Sequence, residues 1–270
     1  MGWGSRASPA PACARAFPKG RRGGPGRRRR RGSAAGGGAA CRRTAEAGAA
    51  VAIAARNEAK AAAAVAELES LGVKAGFVAF DAGKVDSCRA MIAMVGRQFG
   101  RLDILVNNAG ISIRKRPEDY TPEDWRSVID VNLNSASWCA QAAYGGMRER
   151  GGGKIINIGS MMSLFAAPYS APYAASKGGM MQATRALATA RAKDNIQVNA
   201  VLPGWIDTEL TRTARAQVPG LNERVLQRTP AGRWGTGADF AGIAVFLASR
   251  ASDFVTGAGI AVDGGYSSLA

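Results

Sequence analysis

The sequence predicts an α/β domain: a doubly wound parallel sheet with helices on both faces. Three observations predict it. Short apolar runs, many of them β-branched, recur along the chain as strands buried on both faces require. Stretches with helical period separate these runs, which is the pattern of repeated βαβ units. The length, 270 residues, suits one large domain with a tail and is enough to bury a core.

The elements follow in order. Residues 1–43 are almost entirely Gly, Ala, Arg, Pro and Ser. Their composition predicts a disordered, low-complexity segment with no strand, and the domain is expected over 44–270. Strands are expected at Ala49–Ala55, Ala75–Phe80, Leu102–Val106, Lys154–Ile158, Ile196–Leu202 and Gly259–Val262. "NEAKAAAAVAELESLG" is rich in strong helix formers. "TPEDWRSVIDVN" places Thr121 as N-cap, Pro122 at the first helical position and acids in the first turn. Longer helices are expected from about Pro172 to Ala192 and from about Ala238 to Leu247. The stretch Thr208–Trp234 breaks the alternation. It predicts a mobile helical insertion at a strand end, a place where lids form.

Charge and composition exclude several classes. The formal charge is +16, from 36 Lys/Arg against 20 Asp/Glu. Residues 1–43 hold twelve of those cations and no acid, so only +4 belongs to the remaining 227 residues. The basicity resides in the tail. Histidine is absent, which removes His-based acid/base chemistry, Ser-His-Asp triads and most metal sites. Cys13, Cys41, Cys88 and Cys139 lie far apart. They read as buried thiols in a reducing, cytoplasmic setting, with no metal site. No run of 18 uncharged apolar residues occurs, so no membrane span is expected.

The motifs that carry chemistry sit at strand ends. "PYAASKGGM" holds Tyr173 and Lys177, and a spacing of four puts both side chains on one helix face. Taken alone, such a pair is no more than a solvated face. Its neighbours change that. "KIINIGS" ends a buried strand at Ser160, thirteen residues before the tyrosine, and carboxyl ends of strands are where ligands sit in open α/β sheets. "LDILVNNAG" ends another strand with Asn107, Asn108, Ala109 and Gly110. "DVNLNS" puts Asn132, a weak helix former, inside a helix. "NAVLPGWIDT" ends a further strand with Pro203, Gly204 and Thr208. In this order and spacing, the set resembles the short-chain dehydrogenase/reductase family over about Ala45 to Ser268, where "VDGGYS" is also family-like. Within that family, "GKIINIGSMMS" and "LPGWIDTEL" resemble the sugar and sugar-acid dehydrogenases and the 3-oxoacyl carrier-protein reductases.

The resemblance implies a Rossmann-like fold and an oxidoreductase that uses NADP or NAD to interconvert a secondary alcohol and a ketone. The residues support the chemistry. Hydride transfer to a ketone develops negative charge on oxygen and needs a proton donor. A free tyrosine titrates too high for efficient exchange at neutral pH. A lysine ammonium roughly 4 Å away, at an effective dielectric near 20, favours the phenolate by about 4 kcal/mol, or about three pKa units before desolvation opposes it. Tyr173 is therefore the expected acid/base and Lys177 its tuning group. The Ser160 hydroxyl would bond the substrate oxygen. By resemblance Asn132 positions a water behind the lysine; the alternative is a helix kink with its amide bonded to backbone. Asp81 resembles the family's adenine contact, with a helix N-cap as the alternative. Asn108, Ala109 and Gly110 would line the adenosine ribose. Pro203, Thr208 and the backbone of Ile206 lie where the family holds the carboxamide. Arg56 ends its strand where an acid would bond a ribose 2′-hydroxyl; an arginine there suits a 2′-phosphate, which favours NADP, with a solvated arginine at a helix start as the alternative. Trp205, Met161, Met162 and Phe165 either flank the substrate or belong to the core. The resemblance further suggests a homodimer or homotetramer built through the long helices.

The family also places a strand and a glycine-rich loop ahead of the strand at Ala49. The loop cradles the cofactor's pyrophosphate at a helix N-terminus. Gly32, Gly36 and Gly38 have the right spacing. However, "GGPGRRRRR" precedes them, and five consecutive arginines cannot be buried mid-sheet without a large desolvation cost. The segment from Gly38 to the next turn is also about one residue short, and one residue rotates a helix face by about 100°. The first strand is therefore expected to be missing or replaced. Three readings of residues 1–43 remain: a misread stretch of a GC-rich gene, a basic tail for nucleic acid or another acidic partner, or a targeting peptide. The second carries the alternative function, a non-catalytic family member that binds through its tail.

Overall fold

The computed structural model describes residues 12–16 and 37–269. Seven strands form one sheet: β1 (Ala12–Ala16), β2 (Ala50–Ala55), β3 (Ala75–Ala79), β4 (Ile104–Asn107), β5 (Gly153–Ile158), β6 (Ile196–Pro203) and β7 (Gly259–Val262). Their order across the sheet is β3-β2-β1-β4-β5-β6-β7. Among β2 to β7 every adjacent pair runs parallel, with Val51 opposite Ala75, Ile104 opposite Lys154, Gly153 opposite Ile196 and Ala200 opposite Gly259. The six strands expected from apolar runs are all present, with ends shifted by one or two residues.

The helices are α1 (Gly37–Glu46), α2 (Glu58–Glu69), α3 (Val85–Phe99), α4 (Pro122–Ile129), α5 (Ser135–Glu149), α6 (Ala171–Arg191), α7 (Glu209–Gln217), α8 (Leu221–Arg228) and α9 (Ala241–Ala248). Local chemistry sets their starts. Asn57 accepts the backbone N–H of Lys60 at the head of α2. Thr121 and Asp124 form a capping box at α4, which Pro122 opens. Gly100 ends α3 in the left-handed conformation.

Both faces of the sheet are covered, and the period-2 alternation of strand side chains decides which residue faces which layer. Val51 and Ile53 of β2 pack with Cys41 and Ala45 of α1 and Ala61 and Leu68 of α2. Ile104, Ile156 and Val201 meet Leu247 and Ala248 of α9 on the same side. The intervening residues Ala52, Ala54, Leu105, Ile155 and Val198 pack on the other face against Met91 and Val95 of α3, Cys139, Ala143 and Met147 of α5, and Ala188 of α6. Cys41, Cys88 and Cys139 are buried. No helix among the described residues is long and apolar enough to cross a membrane.

Of the two outcomes expected for the first strand, missing or replaced, the structure shows replacement. Ala12–Ala16, from the segment expected to hold no strand, fills the gap between β2 and β4. It runs antiparallel to both neighbours: Ala12 stands opposite Ala54 and Ala16 opposite Ala50, while Cys13 pairs with Val106 and Arg15 with Ile104. The physical reason lies in β2 and β4. Without a strand between them, each would present a row of unpaired N–H and C=O groups inside the sheet. An antiparallel ladder satisfies those groups as a parallel one does. Direction nevertheless decides at which edge of the sheet the chain leaves β1. Ala16 lies at the amino edge, beside Ala50, whereas the resemblance implies a first strand that delivers the chain to the carboxyl edge. Arg27–Arg31, Gly32 and Gly36 lie outside the described residues; Gly38 is the second residue of α1.

Candidate functional site

The site lies along the carboxyl edge of β4, β5 and β6, where the loops leaving these strands face the start of α6. Tyr173 and Lys177 share one face of α6, as their spacing requires. Tyr173 is half-buried; Lys177 is buried, with 4% of its surface exposed. The lysine amine donates to the Ile158 carbonyl at 2.6 Å and stands 5.7 Å from the centre of the Tyr173 ring. Burial pulls the Lys177 amine down from its ordinary 10.5 to about 8. Burial also pushes the Tyr173 phenol up, opposed by a hydrogen bond from the Ser160 hydroxyl. This differs from the sequence-based expectation, in which the lysine charge holds the phenol down. The reason is desolvation: the low-dielectric surroundings that pull the lysine down also disfavour the phenolate.

Ser160 follows β5 and caps a short turn, Met161–Ser163. Its hydroxyl accepts the Met162 N–H at 3.1 Å. Ser163 ties this turn to α6: its hydroxyl accepts the Ser160 N–H at 3.3 Å and donates to the Lys177 carbonyl at 2.8 Å. The Ser163 hydroxyl thus links the Ser160 backbone to that of Lys177.

Asn132 is fully buried and sits in a π-helical turn, Asp130–Asn134, between α4 and α5. Such turns inside helices mark strain or function. Its amide accepts the Ile111 N–H at 2.8 Å, donates to the Ile111 carbonyl at 2.9 Å and donates to the Ser176 hydroxyl at 3.0 Å. Ser176 in turn donates to the Tyr173 carbonyl at 2.7 Å. The Asn132 side chain is therefore bonded to backbone, the alternative left open by the sequence, and it pins the loop after β4 to the helix that carries Tyr173. Gly110 lies between them. A Cβ there would lie 3.6 Å from Asn132 Oδ1 and 3.7 Å from Lys177 Nζ, in ordinary contact with both, which places Gly110 directly against these two side chains. Gly179 permits the close approach of α6 to the π-turn, since a Cβ would lie 2.9 Å from Leu133 Cδ2.

The structure brings Asn132, Ser160, Tyr173, Lys177 and Gly110 together. The other expected residues line the same edge farther away. Asn108 is half-buried and Ala109 is buried just past β4. Arg56 is exposed, one residue beyond β2. Asp81 is neither a helix N-cap nor unengaged: its carboxylate accepts the Gly83 N–H at 3.1 Å and its own N–H donates to Ser87. Pro203 ends β6, and Ile206 is buried against Gly235. Thr208 caps α7 in a box with Thr211. Ser163 and Ser176 were missed from the sequence. Ser163 had a signal, the three-residue spacing from Ser160 that a capping box uses; Ser176 had none.

Beneath the site, Asn107 and Asn157 face each other across β4 and β5. Asn107 donates to Asn157 at 2.9 Å, and Asn157 donates to the Thr184 hydroxyl of α6 at 2.9 Å. All three are buried. This chain joins the two strand ends and the helix that supply the reactive side chains. Among the described residues no group of His, Cys, Asp and Glu could hold a metal ion.

Comparison with known proteins agrees with this geometry. A family model described as Enoyl-(Acyl carrier protein) reductase matches residues 32–267. Gluconate 5-dehydrogenase of Gluconobacter oxydans is 39% identical over 218 residues, covering 81% of this chain and 85% of that protein. A 2-dehydro-3-deoxy-D-gluconate 5-dehydrogenase of Escherichia coli is 42% identical over 203 residues, covering 75% of this chain and 80% of its own. Among solved structures, a gluconate 5-dehydrogenase from Burkholderia cenocepacia, in complex with NADP and tartrate, superposes with a TM-score of 0.83 at 42% identity. The match covers 88% of this chain and 92% of that one.

Proposed function

The chain belongs to the short-chain dehydrogenase/reductase family, and from that premise we propose that it is an NADP-dependent oxidoreductase interconverting a secondary alcohol and a ketone on a sugar acid. The observation that carries the reading is the meeting of Ser160, Tyr173, Lys177 and Asn132 beside Gly110. The relatives named for gluconate and its keto acids support the substrate class. Solved relatives that hold NADP support the cofactor.

The residues present fit that cofactor. Arg56, exposed past β2, offers a cation to a 2′-phosphate. Asn108, Ala109 and Gly110 give a close backbone approach for a ribose, and Pro203, Ile206 and Thr208 border the carboxamide region; Asp81 stands near the adenine side. When bound, the cofactor supplies or accepts the hydride. The protein's own residues handle the proton. In the reducing direction, the Tyr173 phenol gives its proton to the carbonyl oxygen as negative charge develops there, and the Ser160 hydroxyl donates a hydrogen bond to the same oxygen. Lys177, titrating near 8, can return a proton to the Tyr173 phenolate so formed within the working pH range. Asn132 holds the loop and helix in register, and the water relay to Lys177 implied by the family belongs to this proposal.

The proposal extends to a cytoplasmic homodimer or homotetramer. Trp125 on α4, 42% exposed, is apolar surface that an assembly through the long helices would cover. The stretch 208–234, with α7 and α8, acts as a lid on the domain at 44–270. The test is NADPH oxidation followed by absorbance with a 5-keto sugar acid and with a 3-oxoacyl thioester. Turnover of the keto acid at least about 100-fold more efficient is expected; preference for the thioester overturns the substrate reading.

A further inference from the structure

The insertion between β6 and β7 carries a cation that this chemistry leaves unused. Arg228 is the last residue of α8. Its guanidinium carbon stands 5.1 Å from the centre of the Phe165 ring and 4.6 Å from that of Tyr266. Both distances are within cation–π range, and a guanidinium beside aromatic rings still has N–H donors to offer a carboxylate. Nearby, Arg233 pairs with Asp239, and Arg212 and Arg215 share the single carboxylate of Asp207. Among the described residues no acid pairs with Arg228, and it is exposed.

Its place is the mouth of the crevice. The Phe165 N–H donates to the Met161 carbonyl at 2.9 Å, and Met161 opens the turn that Ser160 caps. Phe165, Tyr266, Met161 and Met162 form one apolar patch beneath that turn. Thr229 and Pro230, the two residues after Arg228, pack on Gly264 and Gly265, which immediately precede Tyr266. The guanidinium therefore sits at the carboxyl edge among the loops that leave β5, β6 and β7. Arg56 follows β2, four strand positions from β6, or roughly 19 Å at the usual strand spacing. One cation is placed for the cofactor end of the crevice, the other for the substrate end.

We propose that Arg228 binds the carboxylate of the substrate. Two N–H donors of its guanidinium take the two carboxylate oxygens, while a hydroxyl-bearing carbon farther along the chain faces Ser160 and Tyr173. The inference rests on the sugar-acid reading and adds the residue that selects an acid over a neutral polyol.

The experiment is steady-state kinetics with NADP on D-gluconate and on D-glucitol, the same carbon chain without the carboxylate. It compares the wild type with Arg228→Gln and Arg228→Lys, alongside NADP titration by fluorescence. For Arg228→Gln the KM for gluconate should rise about 30-fold or more with kcat changed less than about 3-fold, because a charge-assisted bidentate pair is lost from ground and transition state alike. The KM for glucitol and the NADP affinity should move less than about 2-fold, which separates a substrate carboxylate from the cofactor phosphate. Arg228→Lys, which keeps the charge and loses the fork, should fall between. Equal losses on both substrates, an unchanged gluconate KM, or an effect confined to NADP overturns the inference. If the wild type itself shows no preference for gluconate, the sugar-acid reading fails and this one with it. A preference that survives in Arg228→Gln sinks this inference alone.

Discussion

The half of the sheet from β4 to β7 and the half from β3 to β1 are held together differently. In the first, hydrogen bonds that cross between elements tie the candidate site together: Asn132 to Ile111 and Ser176, Lys177 to Ile158, Ser163 to Lys177, Asn157 to Thr184. In the second, β1 contributes a ladder of backbone pairs in the direction opposite to its neighbours, and Arg56 and Asp81 stand at separate strand ends, the one exposed and the other engaged in its own turn. The half that carries the candidate site is joined by side-chain hydrogen bonds. The cofactor half is closed by backbone, which any short apolar segment can supply in either direction. A fold can therefore keep its reactive constellation while the strand beside it changes orientation.

The sharpest test of the catalytic half is Tyr173→Phe. It should lower kcat by about 1,000-fold or more, the scale of a lost general acid, while NADP affinity by fluorescence titration stays within about 2-fold. Undiminished turnover would remove Tyr173 from the mechanism. On the other side, Ala14→Pro tests whether the antiparallel strand closes the sheet. Ala14 pairs with both Ala52 and Leu105, and proline there cannot donate to the ladder, so urea denaturation should show a loss of about 3 kcal/mol. No change would mean that Ala12–Ala16 does not hold β2 and β4 together.

Lys177→Met sharpens the comparison through pH. The folded amine titrates near 8 against an ordinary 10.5. Below pH 8 it is charged in both states and the folded protein bears the full desolvation cost. Between about 8 and 10.5 the unfolded chain binds a proton that the folded one has released, so stability rises with pH, by at most about 1.4 kcal/mol per unit. Lys177→Met should lack this rise. Denaturation of the two proteins at pH 7 and pH 10 should show the wild type gaining stability relative to the variant at the higher pH; an unchanged difference would contradict the buried, depressed amine. The smallest expected effect is at Arg56. Arg56→Asp should shift the NADPH-to-NADH affinity ratio toward NADH by about tenfold, or ~1.4 kcal/mol. An unmoved ratio would place the 2′-phosphate elsewhere.

Much of the fold was legible because its signals are local. Six strands announced themselves as apolar runs, and Thr121, Pro122 and Asp124 wrote the start of α4 into consecutive residues. The Tyr173–Lys177 spacing on a helix, with Ser160 at a strand end, carried the candidate site. β1 was not legible, since "ACARA" has no β-branched or aromatic residue and strand preference depends on the surroundings more than on the segment. Nor was the partner of Asn132 legible, because Ile111 and Ser176 lie 21 and 44 residues away.

By itself, then, the sequence determined the alternation of strands and helices, the layer each strand residue faces, and the order of the reactive groups along the chain. These depend on period, capping and spacing, which act over a few residues. Only the tertiary structure decided that Ala12–Ala16 enters the sheet and in which direction. Only it decided that Asn132 spends its amide on backbone, that Lys177 and Tyr173 share a desolvated space, and that Arg228 is clamped by two rings from distant loops. Each of these depends on which unsatisfied group meets which partner at close range, a matter of three-dimensional proximity that no local pattern encodes.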